Sequence, residues 1–595
     1  MNDDSMARIR HLQDLIGAAA TDAATAATAT AAAPAASVGA ESTDIEIPGA
    51  PSAARGWRGR RNVRRGALGA GALAVALAVA FAAVEIGGGH GHGAAAAPTV
   101  GFSPDTQSGA SGAAQTGEAF LTAWQRGNLH AAADITDDPS AAYSALTAYQ
   151  HDLRVSGLTF QPNPVGAAGW LTFSVQAQVG SPTSAWSYTS GLAAYQGTAD
   201  NTPRWFVKWS PGILFTSLKT GRHLALGSIA PTAGAVEDAS GRPITAADAP
   251  SLANLVAGLE KDSPDTGGGR PGTTVEIEAA DGTVLATAAT VAQPVAAAAV
   301  RTTIDLSAQA AAQAAADRAP NSSIAVVQPS TGAILAIANN PPTGPDTAMI
   351  GQLAPGSTFK VVSTTTLLDH GLVSSLQQSV PCPQVLEADG LSLHNSEQEQ
   401  APGNDFLQDF AQSCNNAFSS FYQKVSTTDI ATTARTYYGL GEPWDIGLHE
   451  PTTYAEVPDE SSDSSAEEMV GQDRIVASPL AMASVAATVA TGSFKQPILI
   501  PGAAQTTATP LPANDLSDLR TLMHSVVTQG TLAGVLSDPS DTYGKTGTAE
   551  VGTSNNSWTI AYRGDYAVCA LAVGGGFGAA VAGPEVNSVL GNLAS

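Results

Sequence analysis

The stretch Ala354-Pro355-Gly356-Ser357-Thr358-Phe359-Lys360-Val361-Val362 decides the fold. Pro355 and Gly356 break whatever precedes them. From Ser357 the chain runs to Gly371 without another Gly or Pro, and Phe359, Val362, Leu367 and Leu368 are spaced for a buried helix face. Ser357 is therefore expected to open a helix, with its N–H at the end where the dipole favours developing negative charge. Lys360, three residues on, shares its face. A serine hydroxyl is a poor nucleophile until a base takes its proton. A lysine serves as that base when burial and a second cation lower its pKa.

Two further short motifs follow in order. Ser413-Cys414-Asn415 begins 56 residues after Ser357, and Lys545-Thr546-Gly547 follows it. A second Ser-x-Asn, Ser554-Asn555-Asn556, comes after Lys545 and is out of order. Only seven lysines occur in 595 residues, so Lys360 and Lys545 stand out. Lys545 is expected to stay charged, to lower the pKa of Lys360 and to attract a substrate carboxylate. Ser413 is placed to pass a proton to a departing amine, and Asn415 to bond Lys360 and a substrate amide. The Thr-rich run Tyr543–Val551 reads as a strand, in which Gly547 would let an extended peptide approach closely.

With "TTIDLSAQAAAQAA" at 302–315, "GQDRIVASPLAMA" at 471–483 and "GKTGTAE" at 544–550, these motifs resemble the class B penicillin-binding proteins of the serine β-lactamase-like superfamily. The resemblance covers roughly residues 300–590. It implies an α+β fold in which an antiparallel sheet flanked by helices forms a transpeptidase domain over 299–595. The implied activity is D,D-transpeptidation: Ser357 is acylated by a peptidoglycan stem peptide, or by a β-lactam antibiotic, and an amine resolves the acyl-enzyme. It implies further that the backbone N–H groups of Ser357 and Thr548 form an oxyanion hole. The hydroxyls of Thr546 and Thr548 would hold the terminal carboxylate, and neither cofactor nor metal is called for. A D,D-carboxypeptidase or a serine β-lactamase is the alternative enzyme. A class A lactamase would carry Glu-x-x-x-Asn beyond the second motif, and Glu442 and Glu450 lack the asparagine. A non-catalytic sensor or scaffold is the alternative outside enzymes.

Upstream of this domain, six arginines fall within 55–65 and the nineteen residues 66–84 carry no charge. That length approaches what spans a bilayer as a helix. Residues 66–86 are accordingly expected to form a single transmembrane helix, with the Arg-rich tail 1–65 largely disordered in the cytoplasm and the remainder outside the cell membrane. Eight of the 27 basic and seven of the 52 acidic residues lie in that tail, so the exported part carries 19 against 45. Such an acidic surface excludes nucleic-acid binding. A flexible linker is expected at 87–113.

Residues 114–221 read as a small α+β domain. A helical pattern runs from Gly117 to Ala133, followed by alternating runs at Trp170–Val179 and Arg204–Phe215. "AFLTAWQRGNLHAAADIT" at 119–136 and "RWFVKWSPGILFTSLKTG" at 204–221 resemble the nuclear-transport-factor-like N-terminal domain of methicillin-resistance-type penicillin-binding proteins, which implies a spacer or docking platform. Residues 222–298 are weakly patterned and read as a linker or pedestal. Where the family carries an Arg-Gly-x-Ile-x-Asp-Arg-x-Gly pattern, this chain has Ala233–Gly241 without either arginine. A membrane glycan polymerase and a cell-wall synthesis complex are the implied partners. The three cysteines, Cys382, Cys414 and Cys569, read as small core residues, with one disulfide open in an exported domain.

Overall fold

The computed structural model describes residues 108–163, 170–180, 182–388, 390–396, 399–448, 450–460 and 465–593. The expected tail, transmembrane helix and most of the linker lie outside them. Among the described residues no helix is long and apolar enough to cross a membrane.

The N-terminal part begins with α1 (Ser108–Gln125), α2 (Leu129–Ala133) and α3 (Pro139–Asp152). The expected single helix from Gly117 to Ala133 is broken at its middle. Gly127 adopts φ +74°, and Asn128 caps the next helix by accepting from Ala131 N. Strands β1 (Gly157–Pro162), β2 (Trp170–Val179), β3 (Ser184–Ala199) and β4 (Thr202–Val207) form an antiparallel sheet in that order. Phe120, Leu121 and Trp124 of α1 pack with Phe173 and Val175 of β2 in its core. The run expected as a strand to Phe215 stops at Val207, because Pro211 has no N–H for a ladder and instead starts a 3₁₀ turn.

Residues 222–298 are folded and divide between two cores. Strand β5 (Arg222–Ile229) pairs with β6 (Gly272–Ala279), which pairs with β7 (Val284–Ala292). Leu224, Val275 and Ile277 from this sheet join the N-terminal core. Between them, Val236, Ile244 and Leu252, with Val256 on helix α4 (Ala253–Thr266), belong to the core of the C-terminal domain. Two arginines pair with acidic residues of the Ala233–Gly241 segment. Arg242 Nε bonds the buried Asp238 at 3.3 Å, and Arg301 pairs with Glu237 at 3.2 Å.

The C-terminal domain is built on five antiparallel strands. These are β8 (Ser322–Val327), β9 (Ile334–Asn339), β10 (Tyr543–Val551), β11 (Ser554–Arg563) and β12 (Tyr566–Ala572), arranged β9-β8-β12-β11-β10. The first and last strands of the sheet in sequence, β8 and β12, pair at its centre, and β10 is left at an edge. Helices α5 (Leu306–Ala316) and α10 (Ala582–Leu593) touch each other on one face, and α8 (Pro479–Thr491) packs on β8, β11 and β12. Ser478 caps α8 and Gly492 ends it in the left-handed region. The short helices α6 (Lys360–Asp369) and α7 (Phe406–Gln412), with α9 (Ala513–Thr528), complete the wall beside β10.

Candidate active site

Ser357 stands at the start of a helical segment, as expected, whose first turn is 3₁₀. It lies in a 3₁₀ turn, Gly356–Phe359, that leads into α6 at Lys360. The turn is pressed onto strand β10. Gly356 has φ +53°, and a Cβ on Gly547 would sit 2.7 Å from Pro355 O and 3.0 Å from Thr358 N. The missing side chain of Gly547 thus admits the turn that carries Ser357. Ser357 is 7% exposed and faces a cleft of about 440 Å³.

The second motif is delivered by α7. Asp405 and Gln408 form a capping box at its start, and Ser413 ends it at φ +68°. That left-handed conformation is costly for a residue with a Cβ. It lets Ser413 serve both lysines: its carbonyl accepts from Lys360 Nζ at 2.7 Å and its hydroxyl from Lys545 Nζ at 2.7 Å. Asn415 Oδ1 accepts from Lys360 Nζ at 2.7 Å and from Ser357 Oγ at 3.3 Å. Cys414 O completes the shell of Lys360 at 3.0 Å. Lys360 and Lys545 also lie over the rings of Phe418 and Phe410, at 5.1 and 5.6 Å from the centroids.

Both lysines are fully buried. Burial, and then the charge of Lys545, hold the pKa of Lys360 well below its ordinary value, while Asp409 and Glu399 act in the opposite direction. Lys545 departs from the expectation of a permanently charged cation: burial pushes its pKa down to about 7. A nearby carboxylate raised by burial to about 7, Asp409, accepts from Asn404 Nδ2 at 2.9 Å. Its other oxygen has no hydrogen-bond partner among the described residues.

Cys414 is not a lone core residue but is joined to Cys382 in a disulfide, whereas Cys569 is free and buried. Cys382, Cys414 and Asp409 bring their ligand atoms within 4.8 Å of one another. With both sulfurs in the disulfide no thiolate is available to a metal. The loop after Cys382 is further tied to the second motif. Asn395 Oδ1 accepts from Asn415 N at 3.0 Å and Asn416 N at 2.9 Å, and Asn416 Nδ2 donates to Pro383 O at 2.9 Å.

On the opposite wall stand the residues expected to bind substrate. Thr546 Oγ1 lies 2.7 Å from Thr531 Oγ1, and Thr548 Oγ1 accepts from Gly578 N at 3.3 Å. All eight residues singled out in the sequence, Ser357, Lys360, Ser413, Asn415, Lys545, Thr546, Gly547 and Thr548, are brought together. Thr531, Asn395, Glu399 and Asp409 were missed, since none belongs to a motif: Asn395 and Glu399 share one loop, Asp409 lies on α7 and Thr531 follows α9. Chemically, the arrangement joins a serine, a low-pKa lysine and a second serine that can relay protons, beside hydroxyls suited to an anion.

Comparison with known proteins agrees with this geometry. Residues 322–589 match the model of the penicillin binding protein transpeptidase domain. The chain is 28% identical over 295 residues to the peptidoglycan D,D-transpeptidase PbpA of Mycolicibacterium smegmatis, and 26% over 294 residues to PbpA of Mycobacterium tuberculosis. Each alignment covers 40% of this chain and 58% of the relative, so the chain spans little more than half the length of these relatives. Among solved structures, penicillin-binding protein A from M. tuberculosis as its penicillin G acyl-enzyme is 23% identical, covering 51% of this chain and 82% of that one at a TM-score of 0.44. A chain of a peptidoglycan synthase complex is 19% identical, covering 63% and 92% at a TM-score of 0.49. The part of the chain that builds the cleft, residues 322–589, is thus similar to the penicillin binding protein transpeptidase domain.

Proposed function

We propose that the protein is a peptidoglycan D,D-transpeptidase of the class B type that is also acylated by β-lactams. The observation that carries this reading is the meeting of Ser357, Lys360 and Asn415 through one amide oxygen, with Lys545 on Ser413 beside them. Ser357 Oγ attacks the carbonyl of a penultimate D-alanine while Lys360, neutral through burial, takes its proton. Lys545 and the hydroxyls of Thr546 and Thr548 hold the substrate's terminal carboxylate. As the C–N bond breaks, Ser413 relays a proton to the departing amine of D-alanine. An amine from a neighbouring stem then attacks the ester, and Ser357 is regenerated. The backbone N–H groups of Ser357 and Thr548 are assigned to the developing oxyanion.

The uncharged run after the Arg-rich segment supports a membrane anchor at 66–86, with the catalytic domain outside the cell membrane. In this reading residues 114–221 are a spacer of the nuclear-transport-factor type. A separate glycan polymerase within a cell-wall synthesis complex supplies the polymer to be cross-linked. Labelling with a fluorescent penicillin tests the proposal. A covalent adduct on the parent, lost in Ser357→Ala and Lys360→Ala, is the expected result. No adduct at saturating reagent would make the protein a scaffold, and an adduct that hydrolyses within seconds would make it a lactamase.

A further inference from the structure

Lys360 and Lys545 act on the cleft from beneath its surface, since neither is exposed. Among the described residues that line the cleft, Glu399 is the single ionisable side chain. The wall carrying Thr531, Thr546 and Thr548 lies next to Lys545 and suits an anion. Glu399 comes from the other side, where the loop bearing Asn395 is bound to the second motif. Asn395 Nδ2 donates to Glu399 O at 2.8 Å while Asn395 Oδ1 holds Asn415 N and Asn416 N, so one asparagine positions both Glu399 and the second motif. The carboxylate is also near enough for its charge to be felt at Lys360.

A carboxylate at this place repels the anionic end of a donor peptide and favours a cation. The second substrate of a transpeptidase is an amine, which is an ammonium ion at neutral pH, whereas competing water is uncharged. We infer that Glu399 forms the subsite that gathers the cationic acceptor amine beside the acyl-enzyme and so favours aminolysis over hydrolysis. This inference rests on the transpeptidase reading. The ammonium first gives up one proton to solvent. The amine nitrogen then attacks the acyl carbonyl, the C–N bond forms, and the bond from carbon to Ser357 Oγ breaks. The second amine proton passes through Lys360 to Ser357 Oγ.

The test uses the full chain and an N-acylated D-alanine thioester, whose released thiol is followed by a chromogenic reagent. Glycinamide, largely protonated at pH 7, is compared as acceptor with methoxyamine, which is neutral there. Glu399→Gln is expected to raise KM for glycinamide roughly fivefold, as for one charge pair in a half-open site, with a much smaller change for methoxyamine. Glu399→Asp, which keeps the charge, is expected to restore the preference. Labelling of each variant by fluorescent penicillin shows that it is folded. Equal changes for both acceptors, or none for either, would overturn the inference while leaving the transpeptidase reading intact. Failure of the parent to form an acyl-enzyme at all would overturn that reading and the inference with it.

Discussion

Asn415 Oδ1 lies 2.7 Å from Lys360 Nζ and 3.3 Å from Ser357 Oγ, so a single amide oxygen orients both the serine hydroxyl and the lysine amine. The other two bonds of Lys360 go to backbone carbonyls, which no side-chain substitution removes. Asn415→Ala therefore leaves the lysine anchored while both side chains lose their common acceptor. Acylation by a fluorescent penicillin is expected to slow by about a hundredfold, the size of a general-base contribution, with little change in melting temperature. Stopped-flow labelling measures the rate. A change of less than threefold would show that the bridge is dispensable.

Burial of two neighbouring lysines makes the reaction sensitive to pH near neutrality. Lys360, whose pKa is held low by burial and by Lys545, becomes a competent base as pH rises. Lys545, at about 7, loses the charge that attracts the substrate carboxylate as pH rises further. The second-order acylation constant is expected to be bell-shaped with its alkaline limb near pH 7. Stability follows a related rule. Between about 7 and the ordinary lysine value of 10.5 the unfolded chain binds a proton at Lys545 that the folded chain does not, so this site makes stability rise with pH across that window. Thermal unfolding of Lys545→Met beside the parent from pH 7 to 10 is expected to show a shallower rise.

The motif residues of the cleft were legible because they stand as particular side chains at short, ordered spacings. What surrounds them was not, for reasons of geometry. Asn395 and Thr531 touch the site only after long loops close, and nothing within a few residues of either signals that contact. The pairing of Cys382 with Cys414 across 32 residues likewise depends on the loop that Asn416 fastens. In the sheet of β5, β6 and β7, strand β7 is largely exposed or half-buried and rich in Ala and Thr, so its alternation is weak although Val275 and Ile277 on β6 are well buried. The partner of Glu237 was equally hidden, since Arg301 reaches it only through the pairing of Val236–Glu237 with Val300–Arg301.

The disulfide closes a loop of 32 residues and fixes the middle residue of the second motif. Chain entropy alone assigns such a loop roughly 3.5 kcal/mol. Cys382→Ala with Cys414→Ala is expected to lower unfolding stability by up to about that amount. Acylation is expected to slow as well, because Ser413 and Asn415 flank the lost anchor. Denaturant titration and penicillin labelling with and without reductant measure the two effects. An unchanged midpoint in the double variant would refute the structural role of the link.

Gly547 provides the sharpest steric test of how the nucleophile is placed. An added Cβ would meet Pro355 O at 2.7 Å, Thr358 Cγ2 at 2.9 Å and Thr358 N at 3.0 Å. Two of these atoms are backbone, so relief requires the turn that carries Ser357 to move away from β10. Overpacking of this kind costs about 1–3 kcal/mol, and here the displacement falls on the reacting serine. Gly547→Ala is expected to reduce the acylation rate by at least a hundredfold, well beyond what its loss of stability explains. Gly258→Ala supplies the comparison: it lies within α4, and nothing stands within 4 Å of its added Cβ. That change is expected to stabilise by about 0.5–1 kcal/mol and to leave acylation unaltered. If Gly547→Ala were acylated at the parental rate, the turn could not be held against the strand as tightly as these distances require.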